Sequence, residues 1–181
     1  MTLEIIARED VQAASLGRIA EAAGVTAPSL YNHFPGRTEI LEAASDLLLE
    51  RALAWIDSSS NPNALERLRE IGGSIHQSQT AMDQESFIAP LLKLTAAARA
   101  EGLTEHMGKN QLAVLQRLVD IVEEGKQQGT IRADADPKVV GWMMMGVGWA
   151  RDFALLVGIQ EFIDEGTADR VLETILGGIA P

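Results

Sequence analysis

The chain has 181 residues, 46% of them hydrophobic, and a formal charge of −11 at pH 7. That is enough apolar material for one or two packed domains, and it gives little general attraction to polyanions or anionic membranes. The sequence has no cysteine, which excludes disulfides and thiolate zinc sites. No basic segment followed by an apolar signal core opens it, and its longest apolar run, Val139 to Ala150, is too short to cross a bilayer. The expectation is a cytoplasmic protein with no membrane partner.

In chain order, MTLEIIARED predicts a short first helix whose Leu3, Ile5 and Ile6 cover a core, followed by a loop over Val11 to Ala14. Leu16, Ile19, Ala20 and Ala23 then recur at helical spacing and leave Gly17, Arg18 and Glu21 to water. Gly24 stands where a helix end needs a left-handed backbone, and Val25 is expected to drop into the angle before the next helix. Thr26 is a natural N-cap, and Pro28 falls in the first turn, where its missing N–H costs no intrahelical bond. In the third helix, beginning at Ala27, Leu30 and Phe34 share the inward face, which leaves Ala27, Ser29, Tyr31, Asn32 and His33 on the remaining surface. Two short helices joined by a tight turn and presenting polar side chains make a helix-turn-helix, and those five positions are candidates to face DNA. Pro35 ends the helix, and Gly36 is placed to cap a fourth, with Glu39 in its positive first turn.

The stretch IAEAAGVTAPSLYNHFPGRTEIL resembles the DNA-binding signature of the tetracycline-repressor (TetR) family, in which a Val-Ser/Thr opening leads into Leu-Tyr-x-His-Phe. The resemblance implies that Thr26, Ala27, Pro28, Ser29, Tyr31, Asn32 and His33 approach a major groove. It implies that Tyr31 and His33 touch phosphates or base edges and that Arg37 meets a phosphate, contacts that position a protein without specifying sequence. Base reading then falls to the side chains at 26, 27, 29 and 32, of which Asn32 has the chemistry to pair bidentately with adenine.

Two features set this chain apart from that pattern. The first helix is short and lacks a basic tail, which raises the expectation that Met1 is an internal methionine of a longer chain. Residues 1–57 hold four Arg and no Lys against nine acidic residues, and Ala27 stands where many relatives carry Lys. With few cations to release counterions, weak non-specific affinity and a shallow salt dependence are expected.

The rest shows no convincing period-two alternation, so the fold is expected to be all-α. The fourth helix should run from Arg37 to Ile56 with Ile40, Leu41, Ala44, Leu47, Leu48 and Trp55 inward, ending at the Ser58-Ser59-Ser60-Asn61-Pro62 loop. A fifth starts near Ala64 and carries Leu65, Leu68, Ile71, Ile75 and Met82. A sixth spans Glu85 to Ala100, with Pro90 kinking it or shifting its start. The seventh is capped by Thr104 and stopped by Gly129, and the eighth runs from the Asp136-Pro137 start signal to about Val157. A ninth begins near Thr167 and ends at Gly177-Gly178.

This order predicts a helix-turn-helix DNA-binding domain with its connecting helix over 1–57 and a helical ligand-binding and dimerisation domain over 58–181. The resemblance implies a homodimer on a pseudo-palindromic double-stranded operator, with reading helices about 34 to 36 Å apart. It also implies that a small-molecule effector changes that spacing. In the eighth helix, Gly141, Gly146 and Gly148 with Val139, Met143, Val147 and Leu155 suggest the dimer contact, to which the ninth adds Val171, Leu172, Ile175 and Leu176. For the effector, His76, Gln79, Met107, Trp142, Met145, Trp149 and Phe153 combine adaptable apolar bulk with isolated polar groups, which suits a largely apolar molecule with one polar handle.

Catalysis has little support. His33, His76 and His106 have no metal-ligand spacing, no phosphate loop or nucleophile elbow is present, and no cofactor is implied. The expected function is a ligand-responsive transcriptional regulator, which the resemblance implies to be a repressor released from its operator by a small, largely apolar molecule. The rival is a helical ligand-binding dimer that no longer binds DNA.

Overall fold

The computed structural model describes residues 1–77, 87–159 and 166–181, and within these the side chains of all but 74–77, 152, 155, 156 and 168. Among the described residues the chain forms α1 (Thr2–Arg8), α2 (Leu16–Ala23), α3 (Ala27–Tyr31), α4 (Arg37–Ile56), α5 (Ala64–Gln77), α6 (Ala89–Ala97), α7 (Thr104–Gln128), α8 (Pro137–Val157) and α9 (Thr167–Ile179), and no strand. The all-α expectation holds, and the boundaries fall where the sequence carries caps and stops. Asp136 accepts the amides of Lys138 and Val139 at 2.9 and 3.3 Å and so opens α8. Gly129 and Gly158, at φ 72° and 73°, stop α7 and α8 in the left-handed region.

Two boundaries differ from expectation. Helix α3 stops at Tyr31, with Asn32 as its C-cap, rather than continuing to Pro35. In α6, described from Ala89, Pro90 falls in the first turn, one of the two outcomes expected for it, and Glu85 and Met82 lie outside the described residues. Helix α9 runs through Gly177-Gly178 to Ile179, because Leu176 and Ile179 are buried and their packing outweighs the weak helix preference of the glycines.

The helices form two compact units, one of Met1–Arg51 with Thr80–Gln111, the other of Ala52–Gln79 with Leu112–Pro181. In the first, Leu3, Ile5 and Ile6 turn the inner face of α1 into the core, and α1 packs on α6. Helix α4 contributes Ile40, Leu41, Ala44 and Leu48 to buried positions, whereas Leu47, expected inward, is exposed. Ser45 and Asp46 on α4 meet α7 through a polar cluster. Asn110 donates to Ser45 Oγ and to Asp46 Oδ1, both at 3.0 Å, and His106 Nε2 lies 2.6 Å from the same carboxylate oxygen.

The second unit is built around Leu68, Ile121, Val122, Ile131 and Leu176, all almost wholly buried. Close approach there depends on small residues. A Cβ on Gly72 would come within 2.5 Å of Leu172, and one on Gly125 within 2.5 Å of Ile131. Gly141, expected in a dimer contact, serves this core instead, since a Cβ there would lie 3.1 Å from Leu115 and 3.3 Å from Val119. Leu172, Ile175 and Leu176 are likewise buried within the subunit, and of the α9 residues expected at a dimer contact only Val171 faces out.

Candidate nucleic-acid interface

The α2–α3 pair is held by its own backbone. Ser15 Oγ accepts the Arg18 amide at 3.2 Å and opens α2. At the far end Gly24, at φ 68°, lets its N–H reach Glu21 O at 3.1 Å while the Val25 N–H reaches Ala20 O at 3.0 Å. This doubly bonded stop turns the chain sharply. It also explains a departure from expectation: the Val25 amide, not its side chain, closes the angle, and the side chain is 45% exposed.

Thr26 Oγ1 accepts the Ser29 amide at 3.3 Å, and Pro28 occupies the first turn of α3. The helix is only five residues long and buries none of them fully, so its placement depends on the two caps and on the half-buried Leu30 and Phe34. Those two side chains line a groove of about 280 Å³ together with Ile19 and Ile40, the inward face the spacing predicts.

The outward face collects most of the expected contacts. Thr26, Pro28, Ser29, Tyr31, Asn32 and His33 are exposed, Tyr31 by 54%, and Ala27 is half-buried. Hydroxyl, amide, imidazole and phenol groups thus stand on one short run of chain, with the donors and acceptors that phosphate oxygens and base edges require.

The arginines of this region are differently placed. Arg18 sits between Glu9 and Glu21, at 3.1 and 3.4 Å; the hydrogen bond and charge of Glu9, then the charge of Glu21, hold its guanidinium above the ordinary value. Arg37 turns into its own unit and bonds Glu101 and the carbonyls of the loop before α2. Glu101, 64 residues away, had no sequence signal: nothing local marks a glutamate between two helices as the partner of a distant arginine.

The residues expected to line an effector site do not share one environment. Met107 is buried in the first unit and Met145 in the second. Trp142, Trp149 and Phe153 lie on the exposed side of α8, with the two indoles edge to face at 5.3 Å between ring centroids. The side chain of His76 and all of Gln79 lie outside the described residues. Beside these aromatics, α8 and α9 border an apolar groove of about 640 Å³ floored by Met143, Gly146, Val147, Val171 and Ile175.

A capped two-helix element that turns on a left-handed glycine and presents a polar third helix defines the class of helix-turn-helix DNA-binding regulators. Residues 1–44 match the model of the family described as bacterial regulatory proteins, tetR family. Over those residues the chain is similar to that family of transcriptional regulators. It is 27% identical over 191 residues to the HTH-type transcriptional repressor KstR2 of Mycobacterium tuberculosis, a match covering 97% of this chain and 87% of the relative. Among solved structures it is similar in fold to a TetR-family transcriptional regulator from Rhodococcus sp., at TM-score 0.79 and 22% identity over 98% of this chain and 91% of that one. It is also similar in fold to FadR of Bacillus subtilis in complex with stearoyl-CoA, at TM-score 0.70 and 21% identity over 98% and 95%. Among the described residues no helix is long and apolar enough to cross a membrane.

Proposed function

We propose that the chain is a ligand-responsive repressor that binds a pseudo-palindromic operator as a homodimer and is released by a small, largely apolar molecule. The observation that carries the DNA-binding part is the surface of α3 and its flanking residues, where Thr26, Pro28, Ser29, Tyr31, Asn32 and His33 are exposed together around a helix fixed by a cap at Thr26 and a turn at Gly24. In this reading residues 1–57 form the DNA-binding domain, and Tyr31 and His33 position it on phosphates while Thr26, Ala27, Ser29 and Asn32 read base edges.

Dimerisation is assigned to α8 and α9. Val139, Trp142, Met143, Trp149, Phe153 and Val171 are exposed large apolar side chains, and such a patch is rare on a surface that stays in water. Gly146 and Gly148 meet nothing within 4 Å in the subunit, which leaves room for a second helix to approach. The exposure of Trp142, Trp149 and Phe153 favours the subunit contact over the effector site for these three. For the effector, the buried Met145 and helix α5, which carries His76, remain the candidate lining within the second unit. A bound stearoyl-CoA in the similar fold of FadR supports an apolar ligand with a polar end.

The test is selection of genomic DNA fragments by the purified chain at moderate salt, with a Tyr31→Ala, His33→Ala double variant as control. The expected outcome is one pseudo-palindrome recovered by the parent and lost by the variant. Failure to enrich any sequence, repeated with an N-terminally extended chain, would leave the rival reading of a helical ligand-binding dimer.

A further inference from the structure

The resemblance to the family assigns Arg37 to a DNA phosphate, yet its guanidinium has no donor left for one. Nε–H donates to Glu101 Oε2 at 3.0 Å, and Nη2 donates to Glu101 Oε1 at 3.2 Å and to Val11 O. Nη1 donates to Ala14 O at 2.7 Å and, at the long end of the range, to Gln12 O at 3.5 Å. A guanidinium has five N–H groups, and here all five point at protein oxygens. The Glu101 side chain is only 12% exposed and takes a further bond from the Gln12 side-chain amide at 3.0 Å. The pair is therefore a planar, two-pronged, charge-assisted contact, a geometry an ammonium does not reproduce.

What the contact holds is the connection between α1 and α2. That segment has only turn bonds of its own, from the Ala14 amide to Val11 O at 3.2 Å, the Ser15 amide to Ala13 O at 2.8 Å and the Ala13 amide to Asp10 Oδ1 at 2.8 Å, and its carbonyls need further partners from outside it. Arg37 satisfies those of Val11, Gln12 and Ala14, and Lys93 on α6 satisfies those of Ala7 and Glu9 at 2.8 and 3.1 Å. Val11 and Ala14 are buried beside it, and Ser15, the cap of α2, follows at once. A shift of this loop would carry the start of α2, and with it the direction in which the Gly24 turn aims α3.

We propose that Arg37 is a positioning residue: clamped by Glu101, it fixes the loop that leads into α2 and so the aim of the reading helix, and it does not serve as a phosphate ligand. The inference rests on the DNA-binding reading above, but the clamp can be tested with or without DNA. Compared with the parent are Arg37→Gln, Arg37→Lys, Glu101→Gln and the Arg37→Gln, Glu101→Gln pair, on the selected operator and on a non-specific duplex across a salt series. Glu101→Gln keeps the shape of the side chain but sets an NH2 against the guanidinium.

If Arg37 positions, each single variant weakens operator binding about tenfold, leaves non-specific binding and the salt slope unchanged, and the pair is no worse than either single. Arg37→Lys fails to rescue, because one ammonium cannot span the same acceptors. If Arg37 is instead a phosphate ligand, Arg37→Gln lowers the salt slope by about one contact and weakens all duplexes alike. Glu101→Gln then tightens binding by releasing the arginine. That result overturns the proposal. Amide hydrogen exchange in the DNA-free protein separates this failure from failure of DNA binding itself. Faster exchange over residues 11–19 in Arg37→Gln and in Glu101→Gln, with residues 118–122 unchanged, supports the clamp even if no operator is found; unchanged exchange over 11–19 sinks it.

Discussion

Helices α3 and α8 both turn large side chains to solvent, and they do so for opposite physical reasons. Helix α3 has five residues and no fully buried side chain, so its order depends on the Gly24 turn, the Thr26 cap and two half-buried anchors. What it exposes is mostly small or polar. Helix α8 has 21 residues and buries Val140, Met144, Met145 and Ala154, so packing holds it whether or not its cap is intact. What it exposes is two tryptophans, a phenylalanine, a methionine and valines. A polar face on a lightly held helix suits a partner that is met and left in water, since hydrogen bonds exchange with solvent at small net cost. An apolar face on a firmly held helix suits a partner that stays, because leaving it bare costs about 25 cal/mol per Å² of apolar surface.

The strongest way to break that comparison is to make the α8 face polar. Trp142→Asp with Phe153→Asp should weaken self-association by more than about 100-fold, as expected when aromatic anchors at the centre of an interface are lost. Helical content should be retained, because neither side chain belongs to the buried core of the second unit. Sedimentation equilibrium with circular dichroism checks both. A dimer that persists would move the contact away from α8.

Removing the caps gives a smaller effect that sharpens the contrast. Thr26→Ala and Asp136→Ala should each cost about 1 kcal/mol of helix stability, the usual worth of such a cap. In α8 the loss should be absorbed as fraying of one turn. In α3, which has little else, hydrogen exchange should show the whole helix opening while the global melting curve barely moves. Equal local opening in the two helices would refute the distinction.

The smallest expected effect is on acid titration. Burial raises the Asp46 carboxyl, but the hydrogen bonds of Asn110 and His106 outweigh it and hold the group below its ordinary value. Asp134 is held at about 2 by its hydrogen bond to Arg132, with the charge of Arg132 adding to it. Both groups favour the ionised form in the folded chain, so each contributes stability above its unfolded pKa and loses it as pH falls through the folded one. Carboxyl titration by NMR should find Asp46 protonating below about 3.9, the ordinary aspartate value, with Asp134 following at lower pH. The Asp134 step should leave melting almost unaffected, because that pair stands in water. Asp46 titrating at or above the ordinary value would contradict the α4–α7 cluster.

How far the sequence carried the reading follows from the same physics. Gly24, Thr26 and Asp136 act on bonds within four residues of themselves, so those helix ends were legible from the chain alone. The family motif lay in the same local stretch, and the exposed α3 surface was read from it with little loss. Where a signal competed with packing, it lost: Gly177-Gly178 failed to stop α9 because Ile179 beyond them is buried.

The sequence by itself determined the all-helical class, the helix-turn-helix and the succession of its elements, because hydrophobic period, caps and left-handed glycines act locally. Only the tertiary structure decided which side of α8 meets water, that Gly141 relieves a contact with Leu115 and Val119, and that Arg37 is spent on Glu101 and the loop before α2. Each of those outcomes depends on atoms distant in the chain. A helix with apolar residues on both sides does not say which side is covered, and an arginine does not say which of many carboxylates the fold will bring to it.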